Sequence, residues 1–299
     1  ELEEEDPALR VTAGKEGISL SVCGPLQLSV LEDAMLRRFG MRVSFGPARI
    51  RHRETVAAPA VGIGHYEPLR HYAEVHLRLV PAPAGSGIRF VSRLSVNVLP
   101  LHWQRLIETH VFEREWPGVL TGAPLADVTV ELLAGRAHPK HTEGGDFREA
   151  VTRAMRCALM NARCLLLEPV CRYEIRVPAA SAGAVSAALS ALHAEQAPPE
   201  PEGEETLLAG EARLSRFLPW QEGFAAMTHG RGSLAFSAAR WTPCEPEEQA
   251  RLVAEADYRP QESDSPDSVF CQHGAGFVVP WNEVPRFAHC SHEEALRDE

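Results

Sequence analysis

The sequence predicts a multidomain α+β chain, and three observations carry that reading. Residues 9–45 follow the order strand, strand, helix, strand. Residues 166–242 follow β-α-β-β-α-β, and residues 53–165 set strand-like segments beside two amphipathic helices. The two outer patterns are split βαβ units, the first without its opening strand and most of its first helix. A length of 299 residues with 44% hydrophobic residues suits two to three domains with their own cores.

In the first unit, Leu9 to Thr12 and Ile18 to Val22 flank the turn AGKEG. Val30, Leu31, Ala34, Met35 and Arg38 keep helical spacing until Gly40 stops the helix, and a strand should follow to residue 45. The acidic phrase ELEEED at the start reads as helix, as expected of a chain that begins inside a domain.

In the second unit, strands are expected at 72–80, 88–98 and 127–133 from their alternation of apolar and polar residues. Trp103, Leu106, Ile107, His110 and Val111 mark a helix that stops before Pro117-Gly118. Phe147, Ala150, Val151, Ala154, Met155, Ala158 and Leu159 mark another, with Asp146 and Glu149 as a capping-box-like start. In the third unit, Cys171, Tyr173, Ile175 and Val177 alternate as a strand, and 181–194 is an Ala-rich helix. A mobile loop, QAPPEPEGEE, then leads to strands at 206–209 and 211–218, a helix at 220–227 and a last strand at 233–241. The boundaries follow as 1–52, 53–165, 166–244 and an extension from 245 to 299.

The net charge is −11, but its distribution matters more. Residues 245–299 hold 4 Lys/Arg against 13 Asp/Glu, whereas residues 53–168 hold 13 against 12. The acidity belongs to the extension and leaves the middle of the chain free to face nucleic acid. No apolar run reaches membrane-spanning length. Seven cysteines without a CxxC pair argue for reduced thiols; Cys157, Cys164 and Cys171 recur every seven residues, but Pro169 breaks the helix that would align them.

Several motifs lack chemistry on inspection. The stretch GIGHYEPLRHYAEVHLRL, residues 62–79, holds three histidines and a GxG. Read as a strand from 72, it places Tyr72, Glu74, His76 and Arg78 on a solvated face and His71, Ala73, Val75, Leu77 and Leu79 on the other. His71 and His76 then project to opposite sides and cannot share a metal, which sets aside a hydrolase built on the thirteen histidines. Gly62 and Gly64 lack a following helix, so HYEPLRHY reads as a loop running into that strand. Gly14-Lys15 lacks the rest of a P-loop; the glycines of HGAG, 273–276, and THGRGS, 228–233, read as turns. By contrast GRAHPKHTEGGDF, 135–147, gathers Arg136, His138, Lys140 and His141 on a loop held at both ends, the groups that contact phosphates and stack on bases.

The ordered motifs GPLQLSVLEDAMLRRFGMRVSFGPARIRHRETV, APAGSGIRF, LTGAPLADVTVELLAGRAHPKHTEGGDF, LLEPVCRYEI and MTHGRGSLAFSA make residues 1–242 resemble the C-terminal part of elongation factor G. They are more similar still to its relatives, the tetracycline-resistance ribosomal protection proteins. The resemblance implies two ferredoxin-like split βαβ domains, the first partial, flanking a ribosomal-protein-S5-like βαβ domain. That central domain would be a lever whose tip loops enter the decoding site of the small ribosomal subunit and dislodge tetracycline. The alternative within the family is a translocation factor. His138 falls on the tip histidine, with Arg136, Pro139, Lys140 and His141 beside it. Tyr66, Glu67, Pro68 and Arg70 fall on a second tip loop, where proline and aromatic residues match the protection proteins and depart from the glycine- and Arg-rich loop of elongation factor G. Leu99, Pro100 and His102 fall on a third. The resemblance also implies a cytoplasmic monomer whose partners are small-subunit rRNA and the stalk-base region of the large subunit. No catalytic, cofactor or metal site is expected in this chain; GTP and Mg would be bound upstream, by a GTP-hydrolysing domain of the parent.

Overall fold

The computed structural model describes residues 1–14, 17–22, 24–46, 48–259 and 264–297, in two units, Glu1–Ile50 and Arg51–Glu299. In the first unit, α1 (Leu2–Glu5) and a 3₁₀ turn (Pro7–Leu9) precede β1 (Thr12–Gly14) and β2 (Gly17–Ser19), which pair antiparallel. Lys15 and Glu16 of the expected turn lie outside the described residues. The helix, α2 (Pro25–Phe39), ends as expected: Gly40 takes φ 67 and donates its N–H to the Leu36 and Met35 carbonyls. Two expectations fail. Leu9 closes the 3₁₀ turn instead of opening a strand, and among the described residues of 41–50 there is no strand. A strand needs a hydrogen-bonding neighbour, and the β1–β2 hairpin pairs only with itself.

The second unit carries two six-stranded sheets. One holds β4 (Ala60–Tyr66), β5 (Ala73–Pro81), β6 (Ile88–Ser92) and β7 (Val128–Ala137), backed by α3 (Leu101–Phe112) and α4 (Gly144–Asn161). Its core joins Ala73, Val75, Leu77 and Leu79 of β5 to Val128, Val130 and Leu132 of β7 and to the apolar faces of both helices. That is the apolar face the alternation in 71–79 predicts.

Here β4 corrects part of the reading of HYEPLRHY, 65–72, as loop: His65 and Tyr66 end a strand, and only 67–72 lie outside one. Gly62 and Gly64 are strand residues lying directly under α4. A Cβ on Gly64 would stand 1.9 Å from the carbonyl oxygen of Ala150, and one on Gly62 2.1 Å from that of Ala154. The GxG exists so that a helix backbone can approach a strand backbone. β6 stops at Ser92 rather than 98, because Ser95 turns the chain by accepting the Val98 and Leu99 N–H groups. The cap of α4 is Glu143 rather than Asp146: the Asp146 carboxylate accepts the Glu143 N–H at 2.8 Å, and the helix starts two residues earlier than Asp146.

The other sheet contains β3 (Arg53–Val56), β8 (Cys164–Pro178), β9 (Glu195–Gln196), β10 (Glu200–Glu202), β11 (Glu205–Arg213) and β12 (Ser233–Pro243). With α5 (Ala179–Ala191), α6 (Leu214–Gln221) and α7 (Phe224–Met227) it forms the expected plait, in strand order β10-β11-β8-β12. β8 pairs with β3 at its start and with β11 and β12 further on, so it runs through residue 165 unbroken. Residues 214–218 are helix, not strand, since Leu214, Phe217 and Trp220 recur every three residues and pack inward. The segment QAPPEPEGEE is not a mobile loop: Glu200–Glu202 fold back onto Glu205–Leu207 about Gly203 at φ 68.

Glu54 ties β3 to the loop before β7. Its fully buried carboxylate accepts the N–H groups of Leu120 (2.9 Å), Thr121 (2.8 Å) and Ala123 (3.2 Å) and the Thr121 hydroxyl. Glu54→Ala strands those donors and is expected to cost about 2–3 kcal/mol of stability, while Glu54→Gln retains part of the set. Urea unfolding of both variants checks this; an alanine variant as stable as wild type would show that water serves the loop equally well.

The acidic extension is folded. α8 (Pro246–Ala256) leads, past residues 260–263 outside the described set, to β13 (Ser268–Gln272), β14 (Ala275–Val279), a 3₁₀ turn (Val284–Arg286) and α9 (Glu293–Arg297). β13 and β14 form a hairpin about His273 and Gly274, both at positive φ, the expected turn. The hairpin extends the first sheet in the order β14-β13-β4-β5-β7-β6. Phe270, Val279 and Val284 cover Ile63, so the apolar return at VFCQHGAGFVVPWNEV is a docking surface for β4.

That docking overturns the largest expectation about 72–78. Tyr72, Glu74, His76 and Arg78 do share one face, but the face is buried: Glu74 and His76 are 0% exposed and Arg78 7%. Period-2 alternation shows which residues share a face and cannot show that a segment two hundred residues later will cover it.

Candidate nucleic-acid interface

Three segments meet at one end of the first sheet. The β4–β5 turn joins there because Tyr66 pairs with Ala73, and Ala73 pairs in turn with Ala137 at the end of β7. β6 runs parallel to β7, so the chain leaving Ser92 emerges at the same end. The loop after β7 is internally tied. His138 donates its N–H to Thr142 Oγ1 at 2.6 Å, and the Thr142 hydroxyl donates to the Tyr72 carbonyl at 2.6 Å. Lys140 donates its N–H to His138 Nδ1 at 3.2 Å, and the His138 and His141 rings stack at 4.5 Å. His71 Nδ1 lies 2.7 Å from Asp146 Oδ1, which fastens the second loop to the start of α4.

His138, Pro139, Lys140 and His141 are all exposed on this tied loop; Arg136, expected on the loop, is an exposed residue at the end of β7, its guanidinium 5.9 Å from the Tyr72 ring. Arg70 is exposed and takes φ 68; Tyr66 and Pro68 are half-buried, with Arg153 5.0 Å over the Tyr66 ring. Burial pushes the Tyr66 hydroxyl upward, as do the carboxylates of Glu149 and Asp146, against Arg153; it stays a neutral donor at physiological pH. Pro100 and His102 are exposed, and His102 sits 4.7 Å from the Trp103 ring. The loops thus offer cations, rings and donors in a fixed arrangement, the equipment for phosphate contact and base stacking.

Two expected contacts do not reach this surface. Leu99 is 1% exposed, its side chain lying over Gly135 of β7 where any Cβ would meet Leu99 Cδ2 at 2.9 Å. Its neighbours Val98 and Leu101 face out instead. Glu67 turns inward: its N–H bonds the Val269 carbonyl at 2.8 Å and its carboxylate stands 3.1 Å from His65 Nε2.

Behind the tip lies a polar network that the sequence reading missed. Glu74 Oε2 lies 2.6 Å from His65 Nδ1, and Glu74 Oε1 lies 2.9 Å from His76 Nε2. Glu74 also accepts the N–H groups of His289 (2.9 Å) and Cys290 (2.7 Å) from the extension. His76 Nδ1 stands 2.8 Å from His292 Nδ1, and the His289 ring stacks on Tyr72 at 5.8 Å. Burial pushes the Glu74 carboxyl up, but its bonds to His65, His76 and the His289 N–H outweigh that and hold it well below 4.5. One signal was available: His76 and Glu74 alternate in step with the apolar residues of a strand, and His289 and His292 follow closely on the later apolar return.

A helix-backed sheet with cationic, ring-bearing loops at one end, followed by an α/β plait, defines a two-part α+β module. Residues 48–163 match the family described as elongation factor G, domain IV, and residues 165–252 match elongation factor G C-terminus. The chain is 27% identical over 250 residues to an elongation factor G-like protein of Thermotoga maritima, a match covering 82% of this chain and 37% of the relative. A crystal structure of a protein from Thermus thermophilus superposes with a TM-score of 0.70 at 28% identity, over 85% of this chain and 39% of that one. The chain is therefore similar to the C-terminal part of an elongation factor G-like translational GTPase, and it spans under two fifths of the length of these relatives. Neither matched family is the GTPase domain. Among the described residues, no helix is long and apolar enough to cross a membrane.

Proposed function

We propose that this chain is the ribosome-engaging arm of an elongation factor G-like GTPase, acting in the cytoplasm. The segments 65–71, 97–103 and 136–143 would contact small-subunit rRNA at the decoding site, and the plait would face the stalk base of the large subunit. The observation that carries this is the tied 138–143 loop, which presents His138, Lys140 and His141 to solvent beside Arg136 at the end of β7, with little conformational freedom left to lose on binding. GTP and Mg belong, on this reading, to a domain of the parent outside this chain.

The finer reading is release of tetracycline by the tip, and it rests on the proline and aromatic residues of the 65–72 segment and on the folded extension. Translocation of tRNA and messenger is the second reading, favoured by the likeness to an elongation factor G-like protein. Release of labelled tetracycline from ribosomes by the full-length parent, with and without GTP, separates them. GTP-dependent release supports protection; its absence, with ribosome-stimulated hydrolysis intact, transfers the test to a translocation assay.

In either case, the triple variant Arg136→Ala, His138→Ala, Lys140→Ala in the parent should weaken ribosome binding at least tenfold at physiological salt. For every phosphate that loses its cationic partner, the slope of log affinity against log salt should also flatten by roughly 0.7–0.9. Unchanged binding and slope would remove these residues from the interface.

A further inference from the structure

We infer that His65, Glu67 and His289 form a divalent metal site of the zinc class that fastens the C-terminal extension to the sheet behind the tip. One ligand atom from each of the three lies within 4.8 Å of the others. His65 Nε2 and a Glu67 carboxylate oxygen are 3.1 Å apart. Tetrahedral zinc with bonds of about 2.0–2.1 Å places its ligand atoms roughly 3.3 Å apart, so this pair already stands at ligand spacing. The His289 ligand atom lies within 4.8 Å of both and would close in by on the order of 1–2 Å to reach ligand spacing.

The surroundings are those of a held ligand. Glu74 engages His65 Nδ1 at 2.6 Å, fixing the tautomer that turns Nε2 toward Glu67. The His65 ring is clamped by stacking on Phe270 at 3.9 Å, and Tyr72 Oη lies 3.1 Å from His289 Nδ1, orienting that ring in the same manner. With its Nδ1 proton directed at Glu74, His65 turns a lone pair toward the Glu67 carboxylate. A buried imidazole lone pair and a half-buried carboxylate facing each other form a cradle suited to a cation. An imidazole pair with one carboxylate is a donor set suited to zinc, with water completing the fourth position.

The three ligands come from segments more than two hundred residues apart in the chain. Metal binding would therefore act as a clip, closing a long loop and holding the extension on β4. Nothing in the proposed role on the ribosome requires the ion, so the two readings fail independently.

The test uses the whole 299-residue chain with zinc alone as probe. Calorimetric titration and chelator competition should find one tight ion per chain, and zinc should raise the melting temperature. Glu67→Gln and His289→Ala, both at partly exposed positions, should each weaken binding at least tenfold and abolish the zinc-dependent thermal shift. Glu74→Gln leaves all three ligands in place and should still weaken binding by about 10–100-fold, through loss of the partner that orients His65. A chain that takes up no stoichiometric zinc would overturn the inference. Stoichiometric zinc unaffected by Glu67→Gln and His289→Ala would overturn it equally, by placing the ion on other histidines or cysteines.

Discussion

Gly64→Ala should destabilise the Arg51–Glu299 unit by about 4 kcal/mol or more, beyond the ~1–3 kcal/mol usual for overpacking. The new methyl group would sit 1.9 Å from the Ala150 carbonyl oxygen and 2.5 Å from the Ala154 amide nitrogen. Both are backbone atoms of α4, so no rotamer change relieves the clash; the helix itself must move off β4. That movement would open the core that joins Ala150, Val151, Ala154, Met155 and Ala158 to the strands, and it would shift the capped start of α4 that holds His71 and the tip loop. Gly145→Ala is the control. It lies in the first turn of the same helix with open space around it, and it should change stability by less than about 0.5 kcal/mol. Urea unfolding followed by circular dichroism reads both. Equal stability of the two variants would show that α4 is not packed on β4 at this distance.

Glu74→Ala should cost about 3–5 kcal/mol, because it leaves His65, His76 and two backbone N–H groups without their shared acceptor in a buried pocket. The loss should be local first. The His289 and Cys290 amides should lose protection from hydrogen exchange before the sheet does, since Glu74 is what they bond to. The pH dependence has a definite sign. The Glu74 carboxyl is held below its ordinary 4.5, so the unfolded chain takes up that proton more readily. Its stabilising contribution is present above pH 4.5 and fades as pH falls below that value. His292 acts in the same direction from higher pH: burial lowers it from 6.5, His76 beside it lowers it further, and Glu293 opposes both. A histidine held neutral resists the proton that the unfolded chain accepts, so attachment of the extension should weaken as pH falls below 6.5. In the Glu74→Gln variant the portion of the loss below pH 4.5 should disappear while the portion beginning near 6.5 remains. A profile identical to wild type would mean that Glu74 is not ionised in the folded state.

The tip was legible because its signals are local. A run of Arg136, His138, Lys140 and His141 between a strand and a capped helix needs no knowledge of the rest of the chain to read as an exposed cationic loop. Leu99 failed for the opposite reason. In NVLPLHW the apolar residues look alike, and only the position of Gly135 on another strand decides which of them is covered.

The sequence by itself determined the α+β class, the β-α-β-β-α-β order of the plait, the apolar faces of α3 and α4, the stop at Gly40 and the turns at 228–233 and 273–274. These follow from side-chain periodicity and from backbone positions that favour glycine, both set within a few residues. Only the tertiary structure decided that β4 is a strand, that its two glycines serve helix approach, and that the face of Glu74 and His76 is interior. Each of these depends on a partner supplied from far along the chain: α4 at 144–161 for the glycines, the 268–292 return for the buried network. Hydrogen-bonding pattern and alternation constrain which residues travel together. What they travel toward is settled by packing, and packing is not local.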